Sequence, residues 1–515
     1  MGRQGALWYP IAMTISRRGF LQGSAAGLSV ALLPWQLACG GTQTKVYNIF
    51  VHGVASGDPL ADAVILWTRV STATAATSVE WQLASDEKFK TIVKSGTAMA
   101  LPDKDYCVKL DVTGLSAATT YYYRFTALGE TSMTGRTRTL PAAGATQVRF
   151  GLVSCSSLAH GFFHSYRELS ERDDLDAIIH LGDYIYEYGS NEYGMIRPYE
   201  PTHEILSLED YRTRYSQYRR DPNLASLHAA FPMIAIWDDH EFANNSYKDG
   251  ADNHNTGEGD WATRKQVAAR VYREWIPIRD EADPLKIYRT FKMGGLLDLV
   301  LLDTRIWGRE LQLTDPASPE LNSDTRQLLG ADQEAWLKEQ LSTSTAKWRV
   351  VGQQVMMGQL PQFLNTDAWD GYPKARERFL DAMTAGGKNV VVLTGDIHSS
   401  WVHDLTPDPM DPSKYNATTG QGSRAVELVV PAVTSPGLSK DLQHIAMDAV
   451  ALNTWTKFVD VYRRGYVLLD VNAQRVEAQF FHFEDIEVEA PQKSSLSVTA
   501  TIEDGKNFAT TKKPA

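Results

Sequence analysis

From about residue 146 the chain repeats one pattern: a short apolar run rich in Val, Ile and Leu, a polar cluster, then a segment with helical spacing. The runs at 148–153, 177–181, 233–236, 299–302, 349–352 and 390–393 lack polar alternation and are short, so they read as strands covered on both faces. Helical segments lie between them, including Trp261–Trp275 and 332–341. Later runs at 426–430, 466–471 and 476–481 predict a second sheet packed on the first. Together these place an α/β domain over 146–490.

The period differs upstream. From 46 to 142, short runs at 63–68, 78–83, 107–112 and 121–126 are separated by turn signals, which predicts a small all-β domain. Leu115, with the Thr and Tyr run that ends at Phe125, looks like the corner of a fibronectin/Ig-like sandwich. Residues 141–145 read as a linker, and the polar stretch 491–515 as a C-terminal tail or lid. Segment 187–262 is a long excursion carrying Tyr188, Tyr193, Arg197, Tyr199 and His203, a candidate substrate wall. Within it, 211–220 reads as part of a helical hairpin with a solvated charged face.

Residues 1–40 bear on compartment. Arg17-Arg18 precede Phe20, Leu21 and an apolar stretch at 25–33, the pattern of a twin-arginine signal. That stretch is shorter than the roughly 20 residues a spanning helix needs. Leu37-Ala38-Cys39-Gly40 resembles a lipobox with Gln36 where Leu is usual, which makes Cys39 a candidate for lipidation and a lipid anchor; a plain peptidase cut competes with it. The expected partners are therefore the twin-arginine export machinery and a substrate. The expected location is periplasmic, cell-surface or secreted.

Composition adds two constraints. A formal net charge of -11 argues against stable nucleic-acid binding. Of three cysteines, Cys39 belongs to the signal; Cys107 falls in the β domain and Cys155 among polar motifs, so no disulfide between them is expected.

Four strands run into clusters of chemistry: Ser154-Cys155-Ser156, Gly182-Asp183-Tyr184-Ile185-Tyr186, Trp237-Asp238-Asp239-His240-Glu241 and Gly395-Asp396-Ile397-His398. Strand-to-loop rims are where α/β folds collect ligands. A carboxylate such as Asp183 can bridge two cations. Thiolate, phenolate and imidazole from Cys155, Tyr186 and His398 suit a transition metal, iron in particular, and Asp239 and Asp396 suit a hard cation. Two adjacent cations can clamp a phosphate and generate hydroxide near neutral pH.

The second, third and fourth clusters resemble the GDxxY, GNH(D/E) and GHxH blocks of the calcineurin-like metallophosphoesterases. The departures are Asp239 for Asn, Asp396 for His, and Cys155 where an Asp is usual. These departures resemble one branch, the PhoD-type alkaline phosphatase and phosphodiesterase family, as do Val54–Pro59 in outline, Leu66-Trp67-Thr68-Arg69, Leu302-Asp303-Thr304-Arg305 and Trp369-Asp370-Gly371-Tyr372-Pro373. The likeness runs from about 48 to 485. It implies a four-layer α/β/β/α sandwich, with Fe3+ on Cys155, Asp183, Tyr186 and His398. It further implies Ca2+ on Asp183, Asp239 and Asp396, and Asn244 or Asn245 as candidates for a second calcium. Where the superfamily carries a His before its last block, this chain has Gln353-Gln354, whose carbonyls are candidate calcium ligands.

The resulting expectation is in-line hydrolysis of a small or polymeric phosphate ester by hydroxide held between the metals, for phosphate acquisition. His240, Asp239 and Arg305 are the candidate catalytic residues, His240 near the leaving group and Arg305 for added charge stabilisation. Two alternatives remain open: a phosphodiesterase with little monoesterase activity, and a surface binding lipoprotein with structural metals.

Overall fold

A computed structural model describes residues 49–71, 74–361, 365–385 and 387–514. The arginine pair, the apolar stretch at 25–33 and Cys39 lie outside the described residues.

Alternation along three central strands explains the layering. In Leu297–Leu301, Trp348–Gln353 and Val390–Thr394, the side chains of Leu299, Leu301, Val350, Val391 and Leu393 join a core shared with the first sheet. Their neighbours Val300, Val351 and Val392 face the other way, into a core with Leu337, Leu341, Phe379 and Met383 of the helices Ala331–Thr343 and Pro373–Ala385. Both faces are buried, as the unbroken apolar runs require. These strands run parallel to one another and to Ala425–Val429 in a seven-stranded mixed sheet.

The first sheet has ten strands, with Gln147–Val153, Ala177–His180 and Pro232–Ala235 parallel at its centre. Helices His164–Ser170, Leu208–Arg219, Pro222–Ala230 and Trp261–Trp275 contribute buried side chains to the same core. Gly151 marks how tightly helix and sheet meet, since a Cβ there would lie 2.9 Å from Leu169. The result is the expected α/β/β/α sandwich.

The β-rich N-terminal region does not close on itself. Ile92–Ala100, Thr77–Ala84, Thr120–Ala127 and Glu130–Thr131 form a separate five-stranded sheet with Gly135–Arg138. Val54–Gly57, Ala63–Arg69 and Cys107–Thr113 instead extend the ten-stranded sheet, and Val54–Gly57 pairs parallel with Pro232–Ala235. Gly57 permits this, because a Cβ there would meet the Met233 carbonyl oxygen at 2.6 Å. The expected corner is present: the Tyr121 hydroxyl accepts from Ser116 N at 2.9 Å.

Two expectations need correction. Residues 491–515 are not a loose tail: Ser495–Glu503 and Thr510–Lys512 are the outermost strands of the large sheet, with Val498, Ala500 and Ile502 buried. The helix Leu208–Arg219 is followed by Pro222–Ala230 as a hairpin, but its charged face is only partly solvated: Arg220 is exposed, whereas two arginines are not. Arg214 is buried and donates to the carbonyls of Tyr188, Glu200 and Pro201, while the buried Arg219 guanidinium lies 4.2 Å over the Trp67 ring. Backbone acceptors and an aromatic face take the place of water.

Candidate metal centre

Cys155, Asp183 and Asp238 follow three adjacent parallel strands of one sheet, so the polarity of the strands puts them at a common rim. Asp396 and His398 follow Val390–Thr394 of the other sheet. Backbone bonds tie the rim together: Cys155 N donates to Gly182 O at 3.1 Å, and Ser435 N to Cys155 O at 3.1 Å. Cys155, Asp183, Asp396 and His398 have φ of 58°, 55°, 64° and 55°. Left-handed backbone at four non-glycine residues is strained and is held only where the surroundings over-determine it.

The sulfur, phenol and imidazole ligands gather on one side. Atoms of Cys155, Asp183 and His398 that could ligate lie within 4.8 Å of one another. The Tyr186 hydroxyl donates to Asp183 Oδ2 at 2.8 Å and lies 3.2 Å from His398 Nε2. Burial and the Asp183 carboxylate push both the Cys155 thiol and the Tyr186 phenol well above their ordinary pKa. His398 and Asp396 are the part-exposed ligands, each 15% exposed in its side chain, and so form the mouth.

Carboxylates gather on the other side. Asp238, Asp239 and Asp396 form a second close group, and Asp183, Asp239 and His240 a third, so Asp183 and Asp239 join the clusters. The buried Arg305 guanidinium sits among them. It pairs with Asp238 at 2.6 Å, Asp396 at 2.5 Å, Asp367 at 2.9 Å and Asp239 at 3.6 Å. Burial, set against Arg305, raises Asp396 to about 7 and Asp238 well above the carboxylate range. Burial works the same way on Asp239, but Arg305, His240 and the Asn245 N–H hold it low.

This donor set fits cations. Asp183 Oδ1 and Asp238 Oδ2 are buried without a hydrogen-bond donor among the described residues. Burial first, and crowding of acids second, raise the thiol, phenol and carboxylate values at this rim, and a bound cation would favour their charged forms. Sulfur, phenol and imidazole donors lie on one side and oxygen donors on the other, with Asp183 shared.

Other residues build the support. His240 Nδ1 lies 2.7 Å from Glu187 Oε2, and Glu187 also accepts from Asn244 N and Asn253 Nδ2, both at 2.8 Å. Burial alone would depress His240, yet Asp239, Glu187 and Asp183 raise it well above its ordinary value. The buried Glu241 accepts from the backbone N–H groups of Asp183, Tyr184 and Asp238, which fixes two ligand loops at once. Asn244 and Asn245 approach through their backbones: Asn245 N donates to Asp239 Oδ2 at 2.6 Å while its side chain donates to Asp252. Gln354 accepts from Thr304 and donates to the carbonyls of Trp237 and Leu302, and Gln353 accepts from Trp369 Nε1, so both amides brace loops. Arg305, expected beside the substrate, has its Nε, Nη1 and Nη2 nitrogens engaged by carboxylates.

Asp238, Glu187, Glu241 and Asp367 belong to the site beyond the candidates named from the motifs. The first three lie inside or next to quoted motifs, and Asp367 lies two residues before Trp369. Of the candidate wall, Tyr193 reaches the centre, stacking on Tyr186 at 5.3 Å and on His240 at 6.0 Å, with Tyr188 at 4.8 Å. Tyr199 is instead buried on Ser157, Arg197 pairs with Asp221, and His203 lies out on Asp210. Cys107 and Cys155 are free thiols.

Comparison with known proteins agrees with this geometry. Residues 150–480 match the description "PhoD-like phosphatase", and 36–141 match "PhoD-like phosphatase, N-terminal domain". The chain is 37% identical over 501 residues to alkaline phosphatase D of Bacillus subtilis, covering 91% of this chain and 84% of that one. A solved structure described as "Structure of PhoD" superposes with TM-score 0.84 at 34% identity, over 92% of this chain and 94% of that one. A purple acid phosphatase from yellow lupin shares the fold, with TM-score 0.54 at 10% identity over 90% and 73% of the two chains. The rim of acids, thiol, phenol and imidazole is thus the candidate metal centre of a chain that belongs to the PhoD-like phosphatase family and is a phosphoric ester hydrolase.

Proposed function

We propose that this chain is an exported alkaline phosphatase and phosphodiesterase that uses ferric iron and calcium for phosphate acquisition. The observation that carries the metal reading is Asp183, with one buried oxygen lacking a donor and its neighbours divided between soft and hard ligands. Cys155, Asp183, Tyr186 and His398 would hold iron. Asp183, Asp239 and Asp396 would hold calcium, and Asp238 joins them as a candidate. Asn244 and Asn245 are weaker candidates for a second calcium, because their backbones already serve neighbouring carboxylates. When bound, these cations supply Lewis acidity toward phosphoryl oxygens and lower the pKa of water.

The chain's own groups have separate tasks. Glu187 orients the His240 ring, so that the imidazole, close to Asp183 and Asp239, can hold a proton for the departing alkoxide. Arg305 keeps four carboxylates in place without itself touching substrate. Tyr193 and Tyr188 wall one side of the mouth with aromatic surface and limit water there. The twin-arginine pattern supports export, and Leu37-Ala38-Cys39-Gly40 supports lipidation at Cys39 as the further step.

Metal analysis of the purified protein, together with turnover of matched aryl phosphate monoesters and diesters, tests this reading. Iron and calcium with turnover of both esters are expected. Zinc alone would overturn the metal assignment, and diester turnover without monoester turnover would replace phosphatase by phosphodiesterase.

A further inference from the structure

Two adjacent arginines beside the Ser435 stretch are treated differently. Arg463 pairs with Asp460 at 2.8 Å and with Glu484 at 3.1 Å. Arg464 has no carboxylate within 4.0 Å among the described residues; its Nε donates to Ser435 O at 2.8 Å and its Nη1 to Tyr462 O. Its hydrogen bonds go to neutral carbonyls, and its charge is met only at longer range, by Asp460 and Glu487.

This guanidinium borders a cleft of about 140 Å3, with His160, Thr434, Pro436 and the acids Glu484, Asp485 and Glu487 among its lining residues. His160 Nδ1 lies 2.8 Å from Ser157 Oγ and its ring stands edge-on to Tyr193 at 4.6 Å. Its other ring nitrogen has no hydrogen-bond partner among the described residues. The cleft adjoins the metal centre through one stretch of backbone. Pro436 O lies 3.0 Å from His398 Nδ1, and the Ser435 hydroxyl donates to Tyr186 and to Cys155 O. At roughly 30 Å3 per water the cleft holds about five waters, too little for a whole drug-sized ligand and enough for one small anionic group.

We propose that Arg464 and His160 form an anion subsite for a second phosphoryl group on the substrate, carried on the leaving-group alcohol or the next ester unit. The subsite rests on the reading of the adjacent centre as a phosphoesterase. Arg464 offers a fork that matches phosphoryl oxygens, and His160 adds one donor in the tautomer whose Nδ1 accepts from the Ser157 hydroxyl. Three acids line the same cleft, and each is compensated in part: Glu484 is paired with Arg463, Asp485 accepts from Glu487 N, and all three are exposed and screened. Substrates with one phosphate reach only the metal centre, whereas those with two would engage both.

The test is steady-state kinetics of the metal-replete enzyme on phenyl phosphate and on phenyl phosphates bearing a para phosphonomethyl or para carboxymethyl group. The phosphonomethyl substrate should show kcat/KM about tenfold above phenyl phosphate, mostly through KM, as one charge-assisted pair provides. Arg464→Gln should remove that preference, Arg464→Lys should restore part of it, and His160→Asn should lower it about threefold. Equal preference for the carboxymethyl substrate would make the subsite one for anions at large and overturn its assignment to phosphoryl. Absence of any preference in the wild type, or an equal loss by Arg464→Gln on all three substrates, would overturn the subsite. If the monoesters are not hydrolysed, the same ratios are measured on the methyl diesters, so failure of the monoesterase reading is seen separately.

Discussion

The two sides of the metal centre are built by different means. The Cys155, Tyr186 and His398 side is held by backbone: bonds from Ser435 to Cys155 O and from Cys155 N to Gly182 O, with Cys155 and His398 left-handed, as Asp396 is on the other side. The Asp238, Asp239 and Asp396 side is held by a buried charge, Arg305, with Gln354 and Glu241 as braces. A backbone cage fixes soft ligands whose anionic forms need a metal, whereas a guanidinium keeps like charges together before any cation arrives. The first should keep its metal tightly and the second should exchange it readily.

Asp183 belongs to both sides, so its loss should have the largest effect. Asp183→Asn keeps the shape and removes the charge; turnover should fall on the order of 10³-fold and both metals should be depleted. Loss of only one metal would mean that the two sides do not share this carboxylate.

The next largest effect separates the sides. Cys155→Ala should deplete iron and its visible absorption, whereas Asp396→Asn should weaken calcium and leave the colour nearly intact, each lowering kcat about 10²-fold. A calcium chelator should act like Asp396→Asn and be reversed by calcium alone, measured as turnover against metal content. Iron lost with Asp396→Asn and calcium lost with Cys155→Ala would reverse the assignment.

Acid should attack the backbone-built side first. Two neutral histidines lie under it: His180, 3.0 Å from the Tyr166 hydroxyl, and His228, 2.8 Å from the Tyr184 hydroxyl. Burial lowers His180 to about 3, and burial with Arg219 and His180 lowers His228 well below its ordinary value. A depressed folded pKa means that the unfolded chain takes up the proton first. The stability is therefore whole above the unfolded value near 6.5 and is lost as pH falls toward the folded pKa, by about 1.4 kcal/mol per pH unit for each histidine. Melting at pH 7.5 and pH 5 should show a steep fall, which His180→Gln should flatten; an unchanged slope would mean that His180 is charged in the folded protein.

Glu187→Gln should cost less, about tenfold in kcat, because an amide oxygen can still accept from His240 Nδ1 and only the charge is lost. Glu187→Ala should cost more, with metal content unchanged in both. A loss of metal would make Glu187 a structural prop of the Asn244 loop rather than a positioning residue.

What could be read in advance divides along the same line. Backbone-built ligands were legible because each follows an apolar strand, and strand polarity alone brings Cys155, Asp183 and Asp238 to one rim. Arg305 was visible as a motif residue, but its four partners come from three loops, and Asp367 lies 62 positions away. No local period encodes such a pairing. The C-terminal strands did carry a signal, with Val498, Ala500 and Ile502 alternating among Ser and Thr, but the polar partners masked it. Alternation also could not say which sheet Val54–Gly57 would join, since all four of its residues are buried and it shows no alternation.

Tyr186→Phe should have the smallest effect on turnover, a few-fold, and it tests the backbone-built side most sharply. Its hydroxyl accepts from Ser435, donates to Asp183 Oδ2 at 2.8 Å and lies 3.2 Å from His398 Nε2, so one oxygen links three partners. Removing it leaves the ring stacked on Tyr193 at 5.3 Å and near His240 at 4.2 Å, so packing and melting temperature should hold within about 1 kcal/mol. Cys155, Asp183 and His398 remain to keep iron in place. The visible band should shift or weaken while iron content stays near stoichiometric, because the phenolate contribution is gone and the thiolate remains. An unchanged spectrum would remove Tyr186 from the iron, and a colourless, fully active wild-type protein would remove iron altogether. In either case the backbone cage would still need a reason for its left-handed Cys155, Asp183 and His398, and Cys155→Ser metal content would be the measurement to supply it.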